Sequence, residues 1–409
     1  MGKNSRIRIN LIRKRFNFRN SKINKSIIIF TSITAVILLS VAVGININRD
    51  KTVISVADNE VQGVISNNAK DATSNENTNT EVKNETETTG KGEVTTPNSE
   101  ELKFTILGEM MMGGSVTTNT SYLYSSAFKK IFTFTRNSDF TYTNFSTNIT
   151  NLDKIDDAKS KYLVTKEVKS ALVSLGVDAV NVGSDHMLDF PKEIFNNTLN
   201  ILKENNTYIA GLNNSILYLE KNNKKIAIVA ANNVFIGTKN NYNDYGINSY
   251  YENVMKNDIT VASQNADVVI VDIHWGREYI YGVTDEMKKI AYSAIDSGAD
   301  LIMGSHALGI YPIITYKNVP IIYSTGYIMT DSDSELAKQS YIFDININKE
   351  NKIKSLEMLP IYIKDKKEVV PFHEYNNELA LAFNIQINRW NEENALNSKI
   401  LDNKIVIDF

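Results

Sequence analysis

From Phe104 to Tyr323 the sequence returns repeatedly to short, strongly apolar runs rich in β-branched residues. They are Phe104–Leu107, Ala179–Val182, Ile226–Ala231, Val268–Ile273, Leu301–Met303 and Ile321–Tyr323. Runs of this length and composition are expected as buried strands. Helical patterns lie between several of them. Lys166–Leu175 stops at Gly176, Pro191–Glu204 opens with the residue that suits a helix start, and Asp285–Ser297 closes at Gly298. This alternation predicts an α/β fold, a layered sheet with helices on its faces. Further on the chain is more strand-like, over Tyr341–Ile347 and Ile353–Ile363, and no internal repeat is visible.

Ahead of this body the chain has a different character. Ile27–Ile45 is 19 residues without a charge, which as a helix spans roughly 28 Å, the depth of a bilayer's hydrocarbon core. Nine Lys or Arg precede it within Lys3–Lys25, and only Arg49 and Lys51 follow closely. That asymmetry predicts a single-pass signal anchor, N-terminus in the cytoplasm and the rest outside the cell membrane. A cleaved signal peptide is the competing reading, but the apolar stretch is long for one and Ser40-Val41-Ala42 lies inside it. Residues 50–100 carry four basic and ten acidic residues and almost no large apolar ones after Ile65. Such a stretch cannot offset its ordering entropy and is expected as a disordered tether. The expected division is therefore a basic segment 1–26, an anchor 27–45, an extracellular linker 46–102, a folded domain 103–365 and its C-terminal extension 366–409.

There is no cysteine, so disulfide frameworks, thiolate metal sites and thiol nucleophiles are excluded. Residues 101–409 hold 30 basic and 37 acidic residues, and the basic cluster sits beside the anchor, where it serves topology and anionic lipid. Nucleic acid is not expected as a partner.

In α/β sheets ligands bind beyond the carboxyl ends of the strands, so the residues just after each run matter most. Gly108-Glu109 follows the first. Gly183-Ser184-Asp185-His186, with Asp189 close behind, follows the second. His274-Trp275-Gly276 follows the fourth and Gly304-Ser305-His306 the fifth. Of four histidines in the chain, His186, His274 and His306 occupy such ends, while His373 reads as a surface residue. A single histidine there is more often structural; three together point to a metal. Imidazole and carboxylate suit Zn, Mn or Fe, and a divalent ion can polarise a phosphoryl group and activate water.

Several of these segments resemble signatures of the CapA family, bacterial capsule and poly-γ-glutamate synthesis proteins with a calcineurin-like metallophosphatase fold. His274-Trp275-Gly276-Arg277-Glu278-Tyr279 is similar to its His-Trp-Gly-x-Glu-Tyr motif. Gly298-Ala299-Asp300 with Gly304-Ser305-His306 is similar to its Gly-Ala-Asp and Gly-Ser-His motif. Tyr323-Ser324-Thr325-Gly326 resembles Tyr-Ser-Leu-Gly-Asn, and Asn181 leading to His186 and Asp189 resembles Asn-Asn-His-x-x-Asp. The resemblance covers roughly residues 103–330 and implies a layered metallophosphatase-like sandwich.

The departures are as informative. Gly-Asp becomes Gly108-Glu109, Asn-Leu-Glu becomes Asn144-Phe145-Ser146, and Asn-His becomes Asp185-His186. Gly-Ser-His-Pro-His ends here as Ala307-Leu308, and Gly-Asn becomes Gly326-Tyr327. The extra methylene of Glu109 alone shifts its carboxylate by about 1.5 Å. The resemblance thus implies an incomplete site for one or two divalent metals (Mn, Zn or Fe) among Glu109, Asp185, His186, His274 and His306, with His186 and His274 as catalytic candidates. The bland alternative is that these side chains merely hydrogen-bond to one another.

The implied function is assistance to capsule or poly-γ-glutamate synthesis or export, with membrane synthase subunits or the anionic polymer as partners. The body's acidity disfavours broad capture of a polyanion, so any polymer contact should be local. An active metal-dependent hydrolase of phosphoesters or γ-glutamyl amides, and a tethered module binding a wall polymer or protein, are the alternatives.

Overall fold

The computed structural model describes residues 101–409 apart from 117–124, 153–154, 156–161, 236–238, 278–281 and 308. The expected basic segment, anchor and nearly all of the linker lie outside the described residues, as do Glu278, Tyr279 and Leu308. No described helix is long and apolar enough to cross a membrane.

The strands in chain order are β1 (Leu102–Ile106), β2 (Glu109–Met110), β3 (Phe140–Asn144), β4 (Asn148–Thr150), β5 (Leu163–Thr165), β6 (Ala179–Asn181) and β7 (Tyr208–Ala210). Then come β8 (Leu217–Lys221), β9 (Lys224–Asn232), β10 (Val268–His274), β11 (Leu301–Ser305), β12 (Ile314–Tyr316), β13 (Val319–Ile322) and β14 (Tyr327–Met329). The last are β15 (Gln339–Ile347), β16 (Ile353–Lys364), β17 (Glu368–Pro371), β18 (Asn397–Leu401) and β19 (Lys404–Asp408). Leu102, assigned to the linker from sequence, belongs to β1 because its side chain is buried.

One sheet runs β18-β19-β16-β15-β1-β3-β6-β7, with β17 branching from β16; the other runs β12-β13-β11-β10-β9-β8. In the first, β1, β3, β6 and β7 are parallel and the C-terminal strands antiparallel. In the second, β9, β10, β11 and β13 are parallel, with β8 and β12 as antiparallel edges.

Side chains alternate faces along a strand, and that alternation builds the layers. Val268 and Ile270 of β10 join Phe104 of β1, Tyr142 of β3 and Phe343 of β15 in a core between the two sheets. Val269, Val271 and Ile273 of the same strand face outward, against the helices Glu252–Asn265 and Asp285–Asp296. The outer face of the first sheet is covered by the helices Lys169–Leu175 and Lys192–Glu204, which bury Leu172, Leu175, Phe195, Ile201 and Leu202. The result is two mixed sheets packed face to face with helices outside. Each fully buried Val, Ile or Leu in these layers contributes on the order of 1.5–3 kcal/mol.

Boundaries differ from the sequence reading for local reasons. Lys166–Val168 is a 3-10 turn before the α-helix proper, and Pro191 is the cap of its helix, with extended ψ, rather than its first residue. The helix expected to Ser297 ends at Asp296, and β10 and β11 run on to His274 and Ser305. The last region is not only strand: a 17-residue helix, Asn377–Glu393, precedes the β18–β19 hairpin, which extends the larger sheet. His373, expected at the surface, is half-buried with its Nδ1 enclosed.

Candidate metal centre

The parallel strands β6, β10 and β11 all end at one edge of the sandwich, and there the rare histidines converge. β6 leads through Gly183 and Ser184 into a 3-10 turn, Asp185–Leu188, that carries Asp185 and His186. β10 ends in His274, and His306 follows the last residue of β11. Asp185, His274 and His306 offer ligand atoms that all lie within 4.8 Å of one another, every one of them buried.

The carboxylate of Asp185 is the hub. Its Oδ1 lies 2.9 Å from His274 Nε2 and 3.8 Å from His306 Nδ1, and its Oδ2 lies 3.7 Å from His186 Nε2. Two imidazoles are fixed from behind: His274 Nδ1 is 2.8 Å from Ser305 Oγ, and His186 Nδ1 is 2.9 Å from Asp189 Oδ2. Such outer partners set the tautomer and aim the other nitrogen inward. The ring of His186 is also stacked on Tyr162, centroids 3.6 Å apart.

Burial and charge act in opposite directions on these groups. Burial pushes the Asp185 carboxyl up, but the hydrogen bond and charge of His274, with the charges of His186 and His306, hold it well below the usual range. Burial likewise lowers His274, yet Glu109 and Asp185 raise it overall. His186 is lowered by burial and raised on balance, chiefly by its bond to Asp189. His306 goes the other way, to about 3, through burial and the neighbouring charge of His274. His306 is thus held neutral beside an ionised carboxylate, the state a metal requires, while His186 and His274 are biased toward a proton that a metal would displace.

The spacing of the donors suits a metal. With bonds of about 2.0–2.1 Å, tetrahedral donors stand about 3.3 Å apart. The separations of 2.9 Å to His274 and 3.8 Å to His306 from Asp185 Oδ1 bracket that value. His186 Nε2 is buried without a hydrogen-bond partner, which an ion would satisfy. Asp185, His274 and His306 fit one divalent ion, with His186 beside them.

Of the five residues expected from sequence, Asp185, His274 and His306 therefore surround one point, and His186 stands at the far oxygen of Asp185. Glu109 is beside them, 1 % exposed, but both its oxygens are engaged: Oε1 accepts from the Ser146 hydroxyl, and Oε2 accepts from the His306 backbone N–H at 3.1 Å. Ser146 was read from sequence only as a position lacking a carboxylate, and two partners were not read as part of the site: Tyr162, and Asp272 one layer below. Asp272 shares the inward face of β10 with His274 and accepts at Oδ2 from the Tyr142 hydroxyl (2.7 Å) and the Asn181 amide (2.9 Å) across the two sheets. Burial pushes its carboxyl up to about 6 against those two bonds. An acidic residue two places before His274 in an otherwise apolar strand was the available signal.

The Trp-Gly and Gly-Ser segments are coupled by shape. Trp275 is fully buried, its indole N–H donating to the Tyr323 carbonyl at 3.0 Å. A Cβ on Gly304 would stand 2.1 Å from Trp275 Nε1, so only glycine lets the indole lie against β11. Arg277 is exposed, as a solvated side chain should be.

Residues 103–332 match the family described as bacterial capsule synthesis protein PGA_cap. The chain is 26% identical over 283 residues to the capsule biosynthesis protein CapA of Bacillus anthracis, covering 65% of this chain and 69% of that protein. It is 28% identical over 287 residues to the PGA biosynthesis protein CapA of Bacillus subtilis (strain 168), covering 67% and 74%. Among solved structures it is similar to a putative 5'-nucleotidase from Staphylococcus aureus, with a TM-score of 0.40, 11% identity, and coverage of 66% of this chain and 54% of that one. It is similar also to a 5'-nucleotidase precursor from Thermus thermophilus, with a TM-score of 0.40, 8% identity, and coverage of 71% and 60%. Structural likeness at this level carries no functional weight.

Proposed function

Since the chain belongs to the family of bacterial capsule synthesis proteins PGA_cap, we propose that it is an outward-facing accessory of capsule or poly-γ-glutamate synthesis and export, with a reduced metal site. The observation that carries the metal reading is the convergence of Asp185, His274 and His306, with the unpartnered Nε2 of His186 beside them. Three imidazoles around one carboxylate suit one ion and not a bridged pair. Ser146 stands where the family signature has a carboxylate, and its hydroxyl serves Glu109. The fold is read as metallophosphatase-like, on the two mixed sheets and the placing of this cluster at their carboxyl edge.

A divalent ion held here would supply Lewis-acid polarisation of a phosphoryl or amide carbonyl and a more acidic bound water. The protein's own residues do the rest. Ser305 and Asp189 aim His274 and His186, Asp185 stays ionised, and burial keeps His306 unprotonated. Anchoring rests on Ile27–Ile45 and its basic flank, and the partners proposed are membrane synthase subunits or a local stretch of the anionic polymer.

The test is genetic and chemical together. Deleting the gene in its host should abolish or sharply reduce surface polymer, and the intact chain should restore it; undiminished polymer in the deletion strain ends the proposal. Elemental analysis of the purified full chain after incubation with Zn or Mn should find one ion per chain. Two per chain would overturn the reduced-site reading. Full restoration of polymer by His274→Ala would favour a tethered binding module that does not use the metal.

A further inference from the structure

We propose that Glu109 is not a ligand but a positioning residue, the clamp that holds His306 in the conformation that turns its ring toward Asp185; the inference rests on the metal reading above. His306 has φ 78, the left-handed region that a residue with a side chain rarely occupies. Something must hold it there, and two side chains grip its peptide groups. Glu109 Oε2 accepts from the His306 N–H at 3.1 Å, and the Tyr327 hydroxyl donates to the His306 carbonyl at 3.4 Å.

These two residues are register partners on the short parallel ladder of β2 and β14. Glu109 is fixed there by its own backbone N–H, which donates to the Gly326 carbonyl at 2.7 Å. Its second oxygen is taken by Ser146, so the carboxylate cannot swing without leaving a buried hydroxyl unpaired. The clamp thus ties three segments together: the strand after β1, the turn after β3 and the exit of β11. A carboxylate with both oxygens so engaged orients a ligand, as outer partners of metal sites do.

A clamp and a ligand respond differently to amidation. In Glu109→Gln the amide oxygen can still accept from the His306 N–H and the amide nitrogen can donate to Ser146 Oγ, whereas an anionic ligand is lost. The experiment measures zinc affinity of the full chain by competition with a chromophoric chelator. It also measures, on the metal-stripped protein, hydrogen exchange of a peptide containing the His306 amide. The clamp predicts that Glu109→Gln weakens zinc less than about tenfold, while Glu109→Ala weakens it about 10–100-fold. It predicts slow exchange in wild type and Glu109→Gln and faster exchange in Glu109→Ala.

A loss beyond about tenfold in Glu109→Gln makes the carboxylate charge itself the requirement and overturns the proposal. If wild type binds no zinc, the metal reading fails, and exchange alone decides the clamp: equal rates in wild type and Glu109→Ala overturn it. If Glu109→Ala does not fold, Glu109→Gln decides through affinity. Ser146→Ala then supplies the exchange comparison, with acceleration of the His306 amide expected and an unchanged rate counting against the clamp.

Discussion

Replacing Gly304 with alanine should damage this protein far more than one methyl group suggests. The new Cβ would lie 2.1 Å from Trp275 Nε1, 2.6 Å from its Cε2 and 2.7 Å from the Tyr323 carbonyl oxygen. None of these is the free end of a flexible chain. The indole is rigid and fully buried, and the carbonyl is backbone. Relief requires the indole to move, which breaks its 3.0 Å bond to Tyr323. Overpacking costs about 1–3 kcal/mol, and a buried donor stranded by the move costs about 1–3 kcal/mol more. A total of roughly 2–6 kcal/mol is a large share of the roughly 5–15 kcal/mol that holds a domain folded. Urea unfolding followed by far-UV circular dichroism measures it, and Trp275, one of only two tryptophans, gives an independent fluorescence signal. The mechanism has a second signature. In a Trp275→Phe background the crowded N–H is gone, so Gly304→Ala should cost less by about 0.5–3 kcal/mol, the coupling expected of touching residues. A cost within about 0.5 kcal/mol of zero, the range of ordinary surface changes, or strict additivity of the two changes, would refute the reasoning.

Three further outcomes follow from the same structure. Asp272→Asn should stabilise the metal-stripped chain at neutral pH. The folded carboxyl is raised from 3.8 to about 6, so its proton is bound more tightly folded than unfolded. The stability this lends is complete below about 4 and lost as pH rises through 6. The variant's advantage should therefore grow from pH 4 to pH 7 by up to about 3 kcal/mol, and an advantage independent of pH speaks against a buried charge. Thr284→Ala removes the hydroxyl that accepts from the Met287 N–H at 3.1 Å and caps the helix Asp285–Asp296; urea midpoints should report a loss of about 1 kcal/mol with zinc binding unchanged. Because His186 and His274 are both raised above their usual range, protons compete with metal there. Zinc affinity should fall steeply as pH drops through that region, and a flat profile would exclude these imidazoles as ligands.

Much of the fold was legible because its central strands carry their burial in plain apolar runs. β9, β10 and β11 are buried on both faces, so no polar residue interrupts their middles until the chemistry begins at Asp272 and His274. Helix ends were legible where backbone sterics dictate them, as at Gly176, whose φ of 68 suits a left-handed cap. β3 went unread because Phe-Thr-Tyr-Thr-Asn looks like a loop. It is buried at every position, since its polar groups find partners: Thr143 donates to the Gly108 carbonyl and Tyr142 to Asp272. The helix Asn377–Glu393 hid for a similar reason. Asn384 and Asn391 sit on its buried face, the first accepting from the Tyr341 hydroxyl and the second from the Ile313 N–H, and they break the apolar period.

The site divides along the same line. Rarity and strand-end position made His186, His274 and His306 conspicuous, and those three with Asp185 are the side chains brought together. What sequence cannot carry is which substitutions compensate one another. Glu109 and Ser146 read as two separate departures, one carboxylate lengthened and another lost, 37 positions apart. In space they are a single contact. One oxygen of the Glu109 carboxylate accepts from the Ser146 hydroxyl, and the other reaches the His306 peptide. What a departure from a family signature does to the site is thus decided by what its side chain touches, which chain order does not carry.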